Sequence, residues 1–132
     1  MRLLPNSRAL DAAHFDKTGI FPIMHAIVLR QAVLDSNPWI AMNLMQAFAQ
    51  AKANAIKRVA DITASHTPLP WVSDLMRAAQ ARFGAGPFPY GVDDNRATLE
   101  ACCQFALEQG VAKRLLQPDE LFPKTALRRH RV

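Results

Sequence analysis

The chain has 132 residues, half of them hydrophobic and a fifth charged, which suits one globular domain able to withdraw roughly two-thirds of its unfolded surface from water. Its net charge of +5 rests largely on Lys124, Arg128, Arg129 and Arg131 at one end, so the basic balance gives no reason to expect a nucleic-acid partner. No sustained apolar run marks a signal peptide or a membrane span; neither a membrane nor an export role is expected, and the expected compartment is cytoplasmic.

Asn6 or Ser7 is placed to cap a short helix over about 8–15, with Gly19 beyond it as a stop. The next stretch, Thr18-Gly19-Ile20-Phe21-Pro22-Ile23-Met24-His25, runs into Ala26-Ile27-Val28-Leu29-Arg30 and is the one β-rich segment of the chain. A strand over about 20–30 would set Ile23, His25, Ile27 and Leu29 on one face and Met24, Ala26, Val28 and Arg30 on the other. Both faces are mostly apolar, as in a sheet covered on two sides. A lone strand makes no sheet, and no convincing second one follows.

A brief turn or helix is expected at 31–35. Ser36-Asn37-Pro38 then reads as a capped start for a helix over about 38–62. Trp39, Ile40, Leu44, Met45, Phe48, Ala51, Ala55 and Val59 form its apolar stripe, with Gln50, Lys52, Asn54 and Lys57 in water. Pro68 and Pro70 mark a loop before a helix over 71–83, striped by Val72, Leu75, Met76, Ala79 and Phe83 and ended by Gly84 and Gly86. The Gly-Pro-aromatic connector 84–91 should be ordered, because Phe88 and Tyr90 are costly to expose. Asp94 or Asn95 caps a helix over 95–109, buried through Leu99, Cys102, Cys103, Phe105 and Ala106, with Gly110 as its left-handed terminus and Val111 tucked back. Pro118-Asp119-Glu120 carries helix-start chemistry for a single turn, and 124–132 is a basic tail expected to be disordered. By secondary structure the fold is mainly α with one or two strands.

Cys102 and Cys103 point about 100° apart on a helix, which disfavours a mutual disulfide and fits a reducing compartment. His14, His25, His66 and His130 are scattered, so no metal site is expected, and no cofactor is expected. Gly84-Ala85-Gly86-Pro87 follows a helix instead of opening one, which excludes a phosphate loop, and Ser65-His66 lacks a nucleophile elbow. Two readings of His25 stay open. Mid-strand among isoleucines it is either a proton-transfer group with a depressed pKa or a core histidine held by a backbone carbonyl. Arg96, beside Tyr90 and Asn95, is either a carboxylate clamp or a structural salt-bridge group. Trp39 and Trp71 read as core packing.

Several stretches taken together resemble the C-terminal part of the 4,5-dihydroxyphthalate decarboxylase family. They are Arg2-Leu3-Leu4-Pro5-Asn6, Thr18-Gly19-Ile20-Phe21-Pro22-Ile23-Met24-His25, Asn37-Pro38-Trp39, Leu69-Pro70-Trp71, Phe88-Pro89-Tyr90-Gly91, Asn95-Arg96-Ala97-Thr98-Leu99-Glu100, Glu108-Gln109-Gly110 and Glu120-Leu121-Phe122-Pro123, in the family's order from residue 2 to 123. The resemblance implies a two-lobed α/β fold similar to type 2 periplasmic binding proteins, of which residues 1–123 would be the C-terminal portion, with most of both sheets lying elsewhere. Departures are Gly86-Pro87 before Phe88, Ala106-Leu107 before Glu108, and the basic end. The activity implied is loss of carbon dioxide from a small aromatic dicarboxylic acid, 4,5-dihydroxyphthalate, to give 3,4-dihydroxybenzoate. His25 would be the catalytic proton donor or the group polarising a ring hydroxyl. Thr18 and the Gly19 N–H would position a carboxylate, with Arg96 and Tyr90 as further substrate-binding residues. Two other functions fit the same residues: a small-acid binding protein of the same architecture, or a helical interaction module. The latter would self-associate through the apolar face left by the missing lobe.

Overall fold

The computed structural model describes residues 4–63, 68–84 and 88–124. The Ser65-His66 pair, the Ala85-Gly86-Pro87 part of the connector and the basic tail beyond Lys124 lie outside them. The chain divides into two compact units, one of Met1–Val28 with Gly91–Val132 and one of Leu29–Tyr90.

The first unit begins with α1, Ser7–Thr18. Asn6 is its N-cap residue but adopts a left-handed backbone, φ 59°, and makes no side-chain cap bond, so the capping expected of it is not made. Gly19 stops the helix as its spacing predicts: at φ 68° it occupies the left-handed region that favours glycine, and its N–H donates to Phe15 O at 2.7 Å. The 3-10 turn Asp93–Asn95 leads into α5, Arg96–Glu108. Asn95 does not cap α5 through its side chain; its amide donates backwards to Gly91 O at 2.8 Å. At the other end Gly110, φ 72°, donates to Leu107 O and Val111 N–H donates to Ala106 O at 2.8 Å, the paired bonds of a left-handed helix terminus. Val111 itself is 80% exposed, so its backbone closes the helix while its side chain does not tuck back. A further 3-10 turn, Pro118–Glu120, packs on α5.

The second unit holds α2, Gln31–Ser36, α3, Ile40–Ala60, and α4, Val72–Phe83. Ser36 and Asn37 do not start α3 as expected; they finish α2. The Ser36 hydroxyl donates to Ala32 O at 2.9 Å and the Asn37 amide to Val33 O at 3.3 Å, the local side-chain to backbone pairing that competes with capping. α3 packs against α4. The packed face of α3 runs through Ala41, Met45, Ala49, Lys52, Ile56 and Val59, rotated from the expected stripe, with Trp39, Phe48, Ala51 and Ala55 exposed. Lys52, expected in water, is half-buried: its amine donates to Phe88 O at 2.9 Å and lies 4.5 Å above the Tyr90 ring. Trp71 takes φ 60° ahead of α4 and is 75% exposed, so neither tryptophan is core packing.

The strand expected over 20–30 is not formed: among the described residues no segment pairs as a strand. A ladder needs a neighbour to accept and donate its backbone bonds, and none of the described elements supplies one. Ile23, Met24, Ile27 and Val28 are consequently exposed, at 45, 80, 65 and 86%. Each forgoes part of the roughly 1.5–3 kcal/mol that full burial of such a side chain provides. The buried positions among the described residues are few, Ala41, Val92, Cys103 and Pro118, and of these Pro118 is fully enclosed. Cys102 and Phe105, expected inside, are exposed, because the buried stripe of α5 follows Leu99, Cys103 and Ala106 on the neighbouring arc.

Candidate functional site

Thr18, Gly19 and His25 lie in one run that leaves the end of α1. The Thr18 hydroxyl donates to His14 O at 2.7 Å and accepts the Ile20 N–H at 3.1 Å. It thereby bridges the last turn of the helix to the chain beyond it. The Gly19 N–H is committed to Phe15 O. A donor already closing a helix is not offered to a carboxylate, so the positioning role expected of that N–H does not fit this geometry.

Two residues on, Phe21 is fastened to α5. The Thr98 hydroxyl accepts the Phe21 N–H and donates to the Phe21 carbonyl, both at 3.2 Å. The Phe21 ring meets Phe15 edge-on, centroids 6.3 Å apart and planes at 87°. Beyond this anchor the chain faces water. His25 is exposed, which removes the reading of it as a core histidine and also the partial desolvation that a mid-strand position implied.

Arg96 does make a two-pronged carboxylate contact, with a carboxylate of its own chain. Its Nη1 donates to Asp119 Oδ2 at 3.2 Å and its Nη2 to Asp119 Oδ1 at 3.1 Å, while Nη2 also reaches Asp93 Oδ1 at 3.3 Å. Glu100 stands 3.9 Å from the same guanidinium. The hydrogen bond to Asp119 first, then that to Asp93, raises the Arg96 pKa above its ordinary value. The fork is filled, so the structural alternative for Arg96 is the one its contacts match. Close by, Arg114 pairs with Glu120. That bond holds the Glu120 carboxyl below the usual range, and the Gln117 N–H adds to the effect. Tyr90 belongs to the other unit, under the Lys52 ammonium.

An open groove of about 440 Å³ lies in the first unit, lined among others by Thr18, Ile20, Glu100, Gln104, Leu116 and Pro118. Thr18 therefore reaches a concave surface, whereas His25 and Arg96 do not line it. Glu100 gives the groove a negative group, a poor match for a dicarboxylate in Coulombic terms. Thr98, Asp93 and Asp119 make contacts around the candidate residues that sequence reasoning missed. Asp119 sits in the recognised Pro118-Asp119-Glu120 turn, but its partner lies 23 residues away and no local pattern connects them. Among the described residues no group of three or more His, Cys, Asp or Glu side chains could hold a metal ion.

No family model matches the chain. Over 130 residues, 98% of its length, it is 30% identical to 4,5-dihydroxyphthalate decarboxylase of Comamonas testosteroni. The two proteins are distantly related. The match extends across both units, so the relationship does not rest on one motif or one helix. The chain spans 39% of the length of that relative. Among the described residues no helix is long and apolar enough to cross a membrane.

Proposed function

We propose that this chain is part of an aromatic carboxy-lyase, acting on a small aromatic dicarboxylic acid of the 4,5-dihydroxyphthalate type. The observation that carries the reading is the 30% identity sustained over 130 residues with a decarboxylase of that substrate. The architecture that goes with it is a two-lobed α/β clamshell, similar to type 2 periplasmic binding proteins, to which the present helices contribute one portion. The exposure of Ile23, Met24, Ile27 and Val28 supports it, since a portion of a larger fold leaves uncovered the faces that the remainder would cover.

In the reaction the bond between ring carbon and carboxylate carbon breaks, carbon dioxide departs, and the electron pair stays on the ring carbon. A proton must then be delivered to that carbon, and a deprotonated hydroxyl para to it feeds the developing charge. His25 is the residue of this chain assigned to deliver that proton or to polarise the hydroxyl. It is exposed, so it is accessible to a ring bound against residues 20–30. Thr18, which lines the groove, is assigned to substrate contact. Arg96 enters only if Asp119 releases it.

The test is to supply 4,5-dihydroxyphthalate to the chain, alone and co-expressed with the part of the relative outside the match, and to follow 3,4-dihydroxybenzoate by chromatography. The expected result is product in the presence of the complementing polypeptide and at least a hundredfold loss of turnover in His25→Asn, within the range set by loss of a general acid. Turnover unchanged in His25→Asn refutes the assignment of His25. Binding of the acid without product by the complemented protein refutes the lyase reading.

A further inference from the structure

The open groove of the first unit holds two acceptors that no donor among the described residues answers. Glu100 and Gln104 line it from positions one turn apart on α5, so they share a face of that helix. Arg96 comes within 3.9 Å of the Glu100 carboxylate, but its hydrogen bonds go to Asp119 and Asp93, and among the described residues Glu100 accepts none. The Gln104 amide is oriented by Glu108: its Nε2 donates to Glu108 Oε1 at 2.7 Å, and since a carboxylate only accepts, the amide oxygen is the group left over. The other polar groups of the lining are engaged, Thr18 with His14 and Ile20, Gln117 with Glu120. A carboxylate and an amide oxygen side by side match a group with several N–H donors and no acceptor, which is a guanidinium. Leu116 and the enclosed Pro118 supply an apolar wall for the methylene stem of an arginine.

The same unit carries such groups in its own sequence. Residues 125–132, outside the described part of the chain, include Leu127, Arg128, Arg129 and Arg131, and they follow the 118–120 turn whose Pro118 lines the groove. Asp119 of that turn and Glu100 both approach Nη1 of Arg96, at 3.2 and 3.9 Å, so the turn from which the basic stretch departs stands beside the groove's carboxylate. From Asp119 to Arg128 the chain can extend about 30 Å at roughly 3.3 Å per residue, several times that separation. Because Glu100 and Gln104 are exposed, a free cation would be held as weakly as other exposed ion pairs are. A cation on the same chain is instead presented at an effective concentration on the order of millimolar. The balance favours the chain's own arginines over a free ligand or a second copy.

We propose that residues 127–131 fold back across this groove, an arginine side chain donating to Glu100 and to the Gln104 amide oxygen, so that the basic stretch is an autoinhibitory cover. A guanidinium seated there cancels the groove's negative charge and fills the space that any other ligand of the groove needs. The cover goes beyond the lyase reading and does not depend on it.

The test attaches a nitroxide to Cys102 of the full 132-residue chain, exposed on α5 next to the groove-lining Ala101, while the buried Cys103 stays unlabelled. Amide signals of residues 127–131 are recorded by NMR before and after the label is reduced. The expected result at low salt is that the paramagnetic form loses at least half of their intensity. That loss should fall by at least twofold in Glu100→Gln, in Arg128→Gln/Arg129→Gln/Arg131→Gln, and in the parent at 1 M salt, where the Debye length is about 3 Å. Glu100 is exposed, so its replacement should leave the far-UV circular dichroism of the parent unchanged. A second measurement uses acetyl-arginine amide as the probe. It should shift the Ala101 and Gln104 amides of the triple arginine variant at millimolar concentration, and bind the parent at least twofold more weakly because the groove is already covered. Equal broadening in the parent and the triple variant, no effect of Glu100→Gln, or equal affinity of both for the probe each overturns the proposal. So does broadening that grows with protein concentration, which would make a second copy the donor. None of these readouts is turnover of 4,5-dihydroxyphthalate, so failure of the lyase reading leaves the cover standing and failure of the cover leaves the lyase reading untouched.

Discussion

Replacing Thr98 with valine removes one hydroxyl and two hydrogen bonds, since Thr98 Oγ1 both accepts from and donates to Phe21 at 3.2 Å, joining positions 77 residues apart. A net contribution of about 0.5–1.5 kcal/mol per bond, with Phe21 half-buried and water able to take up part of the loss, gives about 1–2 kcal/mol for the pair. Valine keeps the shape of threonine, so the packing around α5 is little altered and the polar loss is isolated. The place to read it is the Phe21 amide, whose exchange by local opening should accelerate about 5- to 30-fold, the equivalent of that free energy at 1.4 kcal/mol per decade. Thr98→Ser retains the hydroxyl and should exchange within about threefold of the parent. An unaltered Phe21 amide in Thr98→Val, or a Thr98→Ser variant as fast as the valine, would refute the claim that this hydroxyl fastens the segment to α5.

Three other outcomes are expected. The Arg114–Glu120 pair depresses the Glu120 pKa, so its stabilising effect is present above the pKa of the unfolded chain and is lost as pH falls through the lower folded value. In an acid titration followed by circular dichroism, Glu120→Gln should therefore remove part of the parent's loss of stability on acidification while lowering stability at neutral pH. Cys103 is buried and its pKa is raised by that burial first, with the Cys102 charge adding to it, whereas Cys102 is exposed; iodoacetamide followed by peptide mass mapping should label Cys102 first, and equal labelling of both would contradict the packing of α5. Trp71 at φ 60° carries the strain of a non-glycine residue in the left-handed region with little burial to offset it. Trp71→Gly should then raise stability by up to about 1 kcal/mol in urea unfolding, and a clear destabilisation would show that the exposed indole is holding something in place.

The helices were legible because their signals are local. Gly19, Gly84 and Gly110 stand where α1, α4 and α5 stop, and observed bounds differ from those expected by at most three residues. What failed to read out depends on partners. The β-rich sequence of 20–30 states a preference that only a neighbouring strand can realise, and none is formed among the described residues. Ser36 and Asn37 look the same as caps for α3 and as terminators of α2; the structure resolves this in favour of the helix behind them. Which arc of an amphipathic helix is buried also depends on what it meets, so α3 turned Lys52 inward and Phe48 outward, and α5 turned Phe105 out. For the site, the chemistry of Arg96 was readable as a fork for a carboxylate, but not that Asp119 would fill it. His25 was readable only as a choice between a proton-transfer group and a core histidine, and its exposure removes the second.

The thinness of the enclosed core among the described residues has a thermodynamic consequence. Where so few side chains are shut away from solvent, a molecule that binds the folded form and covers its outer apolar faces contributes RT ln(1 + [L]/Kd) to stability, about 2.7 kcal/mol at a hundredfold excess over Kd. That is a substantial share of the whole for a domain of this size. A molecule that covers those faces would therefore raise the melting temperature of this polypeptide in proportion to the logarithm of its concentration over Kd.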